Sequence, residues 1–104
     1  MSEIENLEAM IARGQDHALL RFALGNALMK FKKYPEAIEH LTKAVAFDPG
    51  YSAAWKLYGT ALSEIGQDEK ARTVYEQGIA AAEKKGDMQA AREMRVFLQR
   101  LQKG

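Results

Sequence analysis

The side chains of this sequence that could do chemistry are few, and their spacing does not suit it. His17 and His40 are its two histidines. Neither stands three or four residues from a carboxylate on a shared buried helix face, the arrangement a metal site needs. Both are expected on the surface, with no metal ion and no cofactor. Glu36 and Glu39 share a helical face with Lys43, which reads as a solvated, charge-paired surface rather than an acid and base at work. Ser52, Ser63 and the threonines have no base at a recognisable nucleophile spacing. The eight glycines are spread along the chain instead of forming a phosphate loop. The absence of cysteine removes thiolate chemistry and disulfides together. No enzyme is expected, and attention passes to the elements that would present a binding surface.

With 104 residues, 47% of them hydrophobic, residues 1–104 suit one domain that buries about two-thirds of its unfolded surface. Two prolines and no serine-rich tract leave no room for a disordered linker. The opening Met1, Ser2, Glu3, Ile4, Glu5 is acidic and lacks the basic start and apolar run of a signal peptide. No apolar stretch approaches the roughly 20 residues needed to span a bilayer. A cytoplasmic chain with no membrane partner is expected. A net charge of +1 argues against nucleic acid as partner, because that binding is driven by phosphate neutralisation. The charges are nonetheless sorted. Residues 1–16 carry four acids and one base, the stretch to Glu83 balances eight against eight, and residues 84–104 carry six bases and two acids.

Helix signals run the length of the chain. Ser2 and Glu5 have the form of a capping box, opening a leading helix over 3–13 with Ile4, Leu7, Met10 and Ile11 on one face and Gly14 as its stop. Asp16 is the expected cap of a second helix reaching about Lys30. Pro35 suits the first position of a third, which carries Ala37, Ile38, Leu41, Ala44 and Val45 before Asp48, Pro49 and Gly50 end it. A fourth runs from about Ser52 to Ile65 and stops at Gly66. Asp68 is the expected cap of a fifth that continues to about Lys84. Gly86 and Asp87 then supply a stop and a cap for a last helix, over 87–102. Six helices with short turns and no strand signal predict an antiparallel helical stack.

One spacing organises these elements. Gly25, Ala27, Leu28, Ala37 and Ala46 recur 34 residues on as Gly59, Ala61, Leu62, Ala71 and Ala80, the mark of a repeat whose units bury their apolar faces by stacking. Glycine inside a helix costs about 1 kcal/mol relative to alanine, so finding it twice at one register implies a steric need. The residues resemble the tetratricopeptide repeat, as in small bacterial-type proteins of that family. Residues 52–85 carry Trp55, Gly59, Leu62, Ala71 and Tyr75. Residues 18–51 carry Leu24, Gly25, Leu28, Ala37, Leu41, Ala44 and the Asp48, Pro49 ending, with Arg21 in place of the tryptophan. One period back, Leu7 falls under Leu41 and Met10 under Ala44, so the leading helix looks like half of a truncated unit. The third copy slips. A strict step would bury Arg92 and Glu93, whereas a slip of two residues aligns Ala91, Met94, Leu98 and Leu101 as the buried stripe of a capping helix, with Arg95, Arg100 and Lys103 on its wet side.

The resemblance implies an all-α fold of six helices, antiparallel helix-turn-helix repeats stacked as a short right-handed superhelix. It also implies a concave groove, lined by the first helices of successive units, that takes an extended peptide or a helix. Its positions fall here on Leu19, Phe22, Asn26 and Met29, on Ala53, Lys56, Thr60 and Ser63, and on Gln89, Arg92, Val96 and Gln99. Asn26 can give and accept a bond with a peptide backbone. Lys56 and Arg92 can bind the carboxylate of an acidic peptide or a chain end. The lysine-and-asparagine clamp for chaperone tails is not reproduced, since Phe22 and Leu57 occupy two of its positions. The expected function is a non-enzymatic scaffold holding a segment of another protein, as a monomer or weak homo-oligomer. The alternative is a structural protein whose acidic first helix meets the basic last helix of a neighbour. Binding of lipid or nucleic acid by the basic tail is disfavoured, because Phe97 is its one aromatic residue.

Overall fold

Ser2 and Glu5 close the capping box that their spacing announces. The Glu5 backbone NH donates to Ser2 Oγ at 3.1 Å, and the Ser2 backbone NH donates to Glu5 Oε1 at 3.2 Å. The structure, a computed structural model, describes residues 2–103. Met1, Gly104 and the side chain of Lys103, expected on the wet side of the last helix, lie outside the described residues. Six helices follow one another: α1 (Glu3–Ala12), α2 (Ala18–Lys30), α3 (Tyr34–Phe47), α4 (Ser52–Glu64), α5 (Asp68–Lys85) and α6 (Met88–Lys103), with no strand among the described residues.

Two expected caps are replaced. The residue capping α2 is His17, whose Nδ1 accepts from the Leu20 backbone NH at 3.3 Å. Asp16 is unavailable for that task because Arg21 engages both of its oxygens, at 2.7 and 2.8 Å, and a bidentate charged pair outweighs a neutral cap bond. Gln67, not Asp68, stands at the cap of α5, without a side-chain bond. Asp68 falls inside the first turn, where its charge still meets the positive end of the helix dipole. Pro35 is the second residue of α3 instead of the first. At the other junction the sequence signals hold. Gly86 ends α5 in the left-handed region at φ 83°, and Asp87 Oδ1 accepts from the Ala90 backbone NH at 3.2 Å.

α2 pairs with α3 and α4 with α5. α3 packs on α4, α6 on α5 and α4, and α1 on α2. The core divides accordingly. Leu24, Leu28, Ala37, Leu41 and Ala44 seal the first pair, with Ile4, Leu7 and Ile11 of α1 laid against them. Leu62, Ala71, Val74, Tyr75, Ala82, Ala91 and Met94 seal the second pair under α6, with Leu98 and Leu101 packed alongside. Of the stripe expected on α6, Ala91 and Met94 are buried and Leu98 and Leu101 are half-buried. The two-residue slip also agrees with the helix starts, since α4 begins at Ser52 and α6 at Met88.

The small residues sit where helices touch. A Cβ on Gly25 would stand 2.7 Å from Leu41 Cγ, and one on Gly59 would stand 2.5 Å from the Tyr75 ring. Gly78 meets the same need, 2.5 Å from Met94 Sδ and 2.7 Å from Trp55 Cβ. Ala46 and Ala80, which share in the 34-residue echo, are exposed. They mark the period without taking part in the packing.

Candidate peptide-binding groove

α2, α4 and α6 lie side by side, with α4 touching both of the others. On α2 the candidate row is Phe22, Asn26 and Met29, spaced four and three residues so that one face presents all three. All are half-buried. Phe22 stacks on Tyr51 with centroids 4.9 Å apart, and both Phe22 and Met29 pack against the first core cluster. Leu57, at the expected clamp position, packs there too. Leu19 is mostly exposed.

On α4, Lys56 does not stand alone. Its Nζ donates to Glu93 Oε1 of α6 at 2.7 Å. That bond, and the ammonium charge behind it, hold the Glu93 carboxyl below the usual carboxylate range. The middle of the groove is thus a paired plus and minus instead of the free positive charge expected of Lys56. Thr60 is also engaged. Its Oγ1 donates to the Lys56 carbonyl at 2.9 Å, which leaves it to accept from the Tyr75 hydroxyl at 2.8 Å. Burial pushes that hydroxyl's pKa up, so it remains a donor. Beyond Thr60 lies a depression of about 370 Å³ lined by Thr60, Ser63, Glu64, Phe97, Arg100 and Leu101. Arg100 sits over the Phe97 ring at 5.7 Å, and Phe97 lies 5.8 Å from the Tyr75 ring. Arg92 is exposed beside Glu93, as are Gln89, Val96 and Gln99.

A profile described as tetratricopeptide repeat matches residues 28–94. The chain belongs to the tetratricopeptide repeat family. This tetratricopeptide repeat chain is 49% identical over 98 residues to the TPR repeat-containing protein PA0015 of Pseudomonas aeruginosa, across 94% of this chain and 93% of that one. Among solved structures it is similar to protein BPP2914 from Bordetella parapertussis, with a TM-score of 0.86 and 44% identity over 99% of this chain and 90% of that one. It also superimposes on the TPR2B-domain:pHsp70 complex of yeast Sti1, with a TM-score of 0.88, at 22% identity over 96% of this chain and 80% of that one. At that identity the likeness is one of fold. The tetratricopeptide repeat fold is a protein-interaction scaffold, one that binds other proteins or peptides and is typically not enzymatic. No helix among the described residues is long and apolar enough to cross a membrane.

Three contacts of the tetratricopeptide stack escaped the sequence. Phe97 and Arg100 enter the groove wall, and Glu93 neutralises Lys56. The third is a buried network around Arg21, which is 6% exposed. Besides Asp16, the Arg21 guanidinium donates from Nη1 to His40 Nδ1 at 2.9 Å. Arginine has only donors, so this bond requires a neutral imidazole with its proton on Nε2. His40 was expected on the surface. It is half-buried instead, because α3 packs it against that guanidinium. The signal available in the sequence was a charged residue, Arg21, at a register where the other unit holds Trp55.

The network should make stability pH-dependent. Burial, then the Arg21 charge, lowers the His40 pKa below 6.5, and the Arg21 hydrogen bonds lower that of Asp16 below 3.8. In both cases the unfolded chain takes up the proton first, so acidification favours unfolding. Stability should fall as pH drops below about 6.5, and again below about 4. Denaturant titrations at a series of pH values check this. His40→Asn should flatten the first decline and Asp16→Asn the second, and variants with the wild-type pH slope would contradict the assignment.

Proposed function

We propose that this chain holds a short segment of another protein, an extended peptide or one helix, in the groove between α2, α4 and α6. The observation that carries this reading is the row of half-buried side chains on adjoining helices, Phe22, Asn26 and Met29 beside Lys56 and Thr60. It offers apolar contact and a backbone-binding amide side by side, the mixture a pocket needs to fix a peptide's register. The TPR2B domain of yeast Sti1, which shares the fold, forms a complex with pHsp70. The chemistry of the groove here differs from a cationic clamp. An incoming carboxylate must compete with Glu93 for Lys56, so Arg92, at the groove's outer edge, is the freer anchor for an acidic residue or a chain end.

Peptide-array binding followed by titration calorimetry tests this. Binding should be lost in the Asn26→Ala, Lys56→Ala double variant, and binding that persists would place the contact on another face. Glu93→Gln gives a sharper check, because it releases Lys56. Acidic peptides should then bind about two- to five-fold more tightly, the worth of one exposed ion pair, while neutral peptides change little. Equal gains for both would show that Lys56 does not touch the ligand.

A further inference from the structure

Leu7 and Met10 of α1 occupy the 34-residue registers of Leu41 and Ala44 in α3, and of Tyr75 and Gly78 in α5. Those four counterparts are fully buried, sealed where the two helices of a pair meet. Leu7 and Met10 are only half-buried, Leu7 against the first core cluster, and no residue of α1 is fully buried. Their helix presents the inner face of a pair's second member. At the far end of the molecule, α6 presents the complementary face of a first member. Met88, Arg92, Arg95, Val96 and Gln99 form one exposed stripe at helical spacing, and its apolar members Met88 and Val96 are 46% and 44% exposed. Arg95 lies 36 residues after Gly59, the slipped register. On α4 that position is closed by Tyr75 of the partner helix.

Charge agrees with shape. On the face of Leu7 and Met10, α1 carries Glu3 and no base, with Glu5 and Glu8 on the side toward α3, whereas the α6 stripe carries Arg92 and Arg95 and no acid. Glu93 is turned into the groove, onto Lys56. Arg95 pairs with Glu83 of α5 on an exposed surface, where a carboxylate from another molecule can replace it at small cost.

We infer that α1 of one copy docks on the outer face of α6 of another, completing a helix pair and joining copies head to tail. The contact is heterologous, since each copy keeps an open α1 and an open α6, so association continues into short chains or closes into rings. The contact uses Arg92, Val96 and Gln99, which also border the groove on α6, so it covers that edge of the groove.

Sedimentation velocity of the full chain, from dilute to millimolar concentration, tests the junction. At low salt the sedimentation coefficient should rise with concentration. In about 1 M salt, where the Debye length is about 3 Å, it should fall back toward the monomer's. Met10→Glu blocks the α1 face, and Arg92→Glu with Val96→Glu blocks the α6 face. Each variant, with its helix content confirmed by circular dichroism, should stay monomeric alone. Their equimolar mixture should form a 1:1 dimer that grows no further, because one α1–α6 pairing survives. If Met10→Glu loses helix content, the exposed Glu3→Arg replaces it. A wild type that is monomeric throughout, a blocked variant that still associates alone, or a mixture that stays monomeric would each overturn the inference.

Discussion

Trp55→Ala should lower the stability of the chain by about 3 kcal/mol, at the lower end of the range for emptying a large aromatic site, and the melting temperature by roughly 10–20 °C. The reason is position as much as size. Trp55 packs against both core clusters, so its loss loosens the two helix pairs together. The indole lies 6.2 Å from the Tyr58 ring, and its Nε1 donates to the Pro49 carbonyl at 2.8 Å. That bond fixes the turn between α3 and α4. Lys85 Nζ ties the same turn to the end of α5 through the Gly50 carbonyl at 2.9 Å. The ring is half-buried rather than sealed, which limits the loss. Trp55→Phe keeps most of the apolar contact and deletes the donor, so it should cost about 1 kcal/mol for the hydrogen bond. Denaturant unfolding followed by circular dichroism measures both, because tryptophan fluorescence disappears with the residue. An alanine variant within about 1 kcal/mol of wild type would show that the two halves of the stack are not joined through this side chain.

What could be read from the sequence, and what could not, follows from how far each interaction reaches. Close helix approach demands a small residue at a fixed place, so Gly25 and Gly59 recur at one register and the helix pairs were legible from them. Gly78 answers the same demand, yet its counterpart is Ala44. No glycine echo pointed to it, and its need arises from Trp55 and from Met94 of the next helix, whose register is slipped. Caps are local, and the Ser2–Glu5 box and the Asp87 cap were found. Asp16 does not cap α2 because its competing partner, Arg21, is chosen by burial under α3, which no spacing rule within α2 reveals. The groove shows the same division. Phe22, Asn26 and Met29 follow from the family resemblance, and their spacing puts them on one face of α2. The Lys56–Glu93 pair joins helices 37 residues apart in sequence, so the neutral centre of the groove became visible only with α6 in place.

The glycine argument predicts energies as well as positions. Tyr75 is 2% exposed, its hydroxyl is bonded to Thr60, and Phe97 lies against its ring. A Cβ added at Gly59 would approach ring atoms Cε1, Cδ1 and Cζ at 2.5, 2.6 and 2.9 Å, and the ring is held on every side. Gly59→Leu should therefore incur about 3 kcal/mol of overpacking, offset by about 1 kcal/mol of helix propensity, a net loss near 2 kcal/mol. Gly59→Ala should lose about 1 kcal/mol by the same reckoning. At Gly25 the close atoms are Cγ and Cδ2 of Leu41, a side chain with a rotamer to yield, so Gly25→Ala should be the milder change. The decisive measurement is a double-mutant cycle. Tyr75→Leu gives the second pair the leucine that the first pair has at Leu41, and in that background the cost of Gly59→Ala should shrink toward the helix-propensity gain. If the cost stays the same with and without the tyrosine ring, then Tyr75 is not the group for which the glycine makes room.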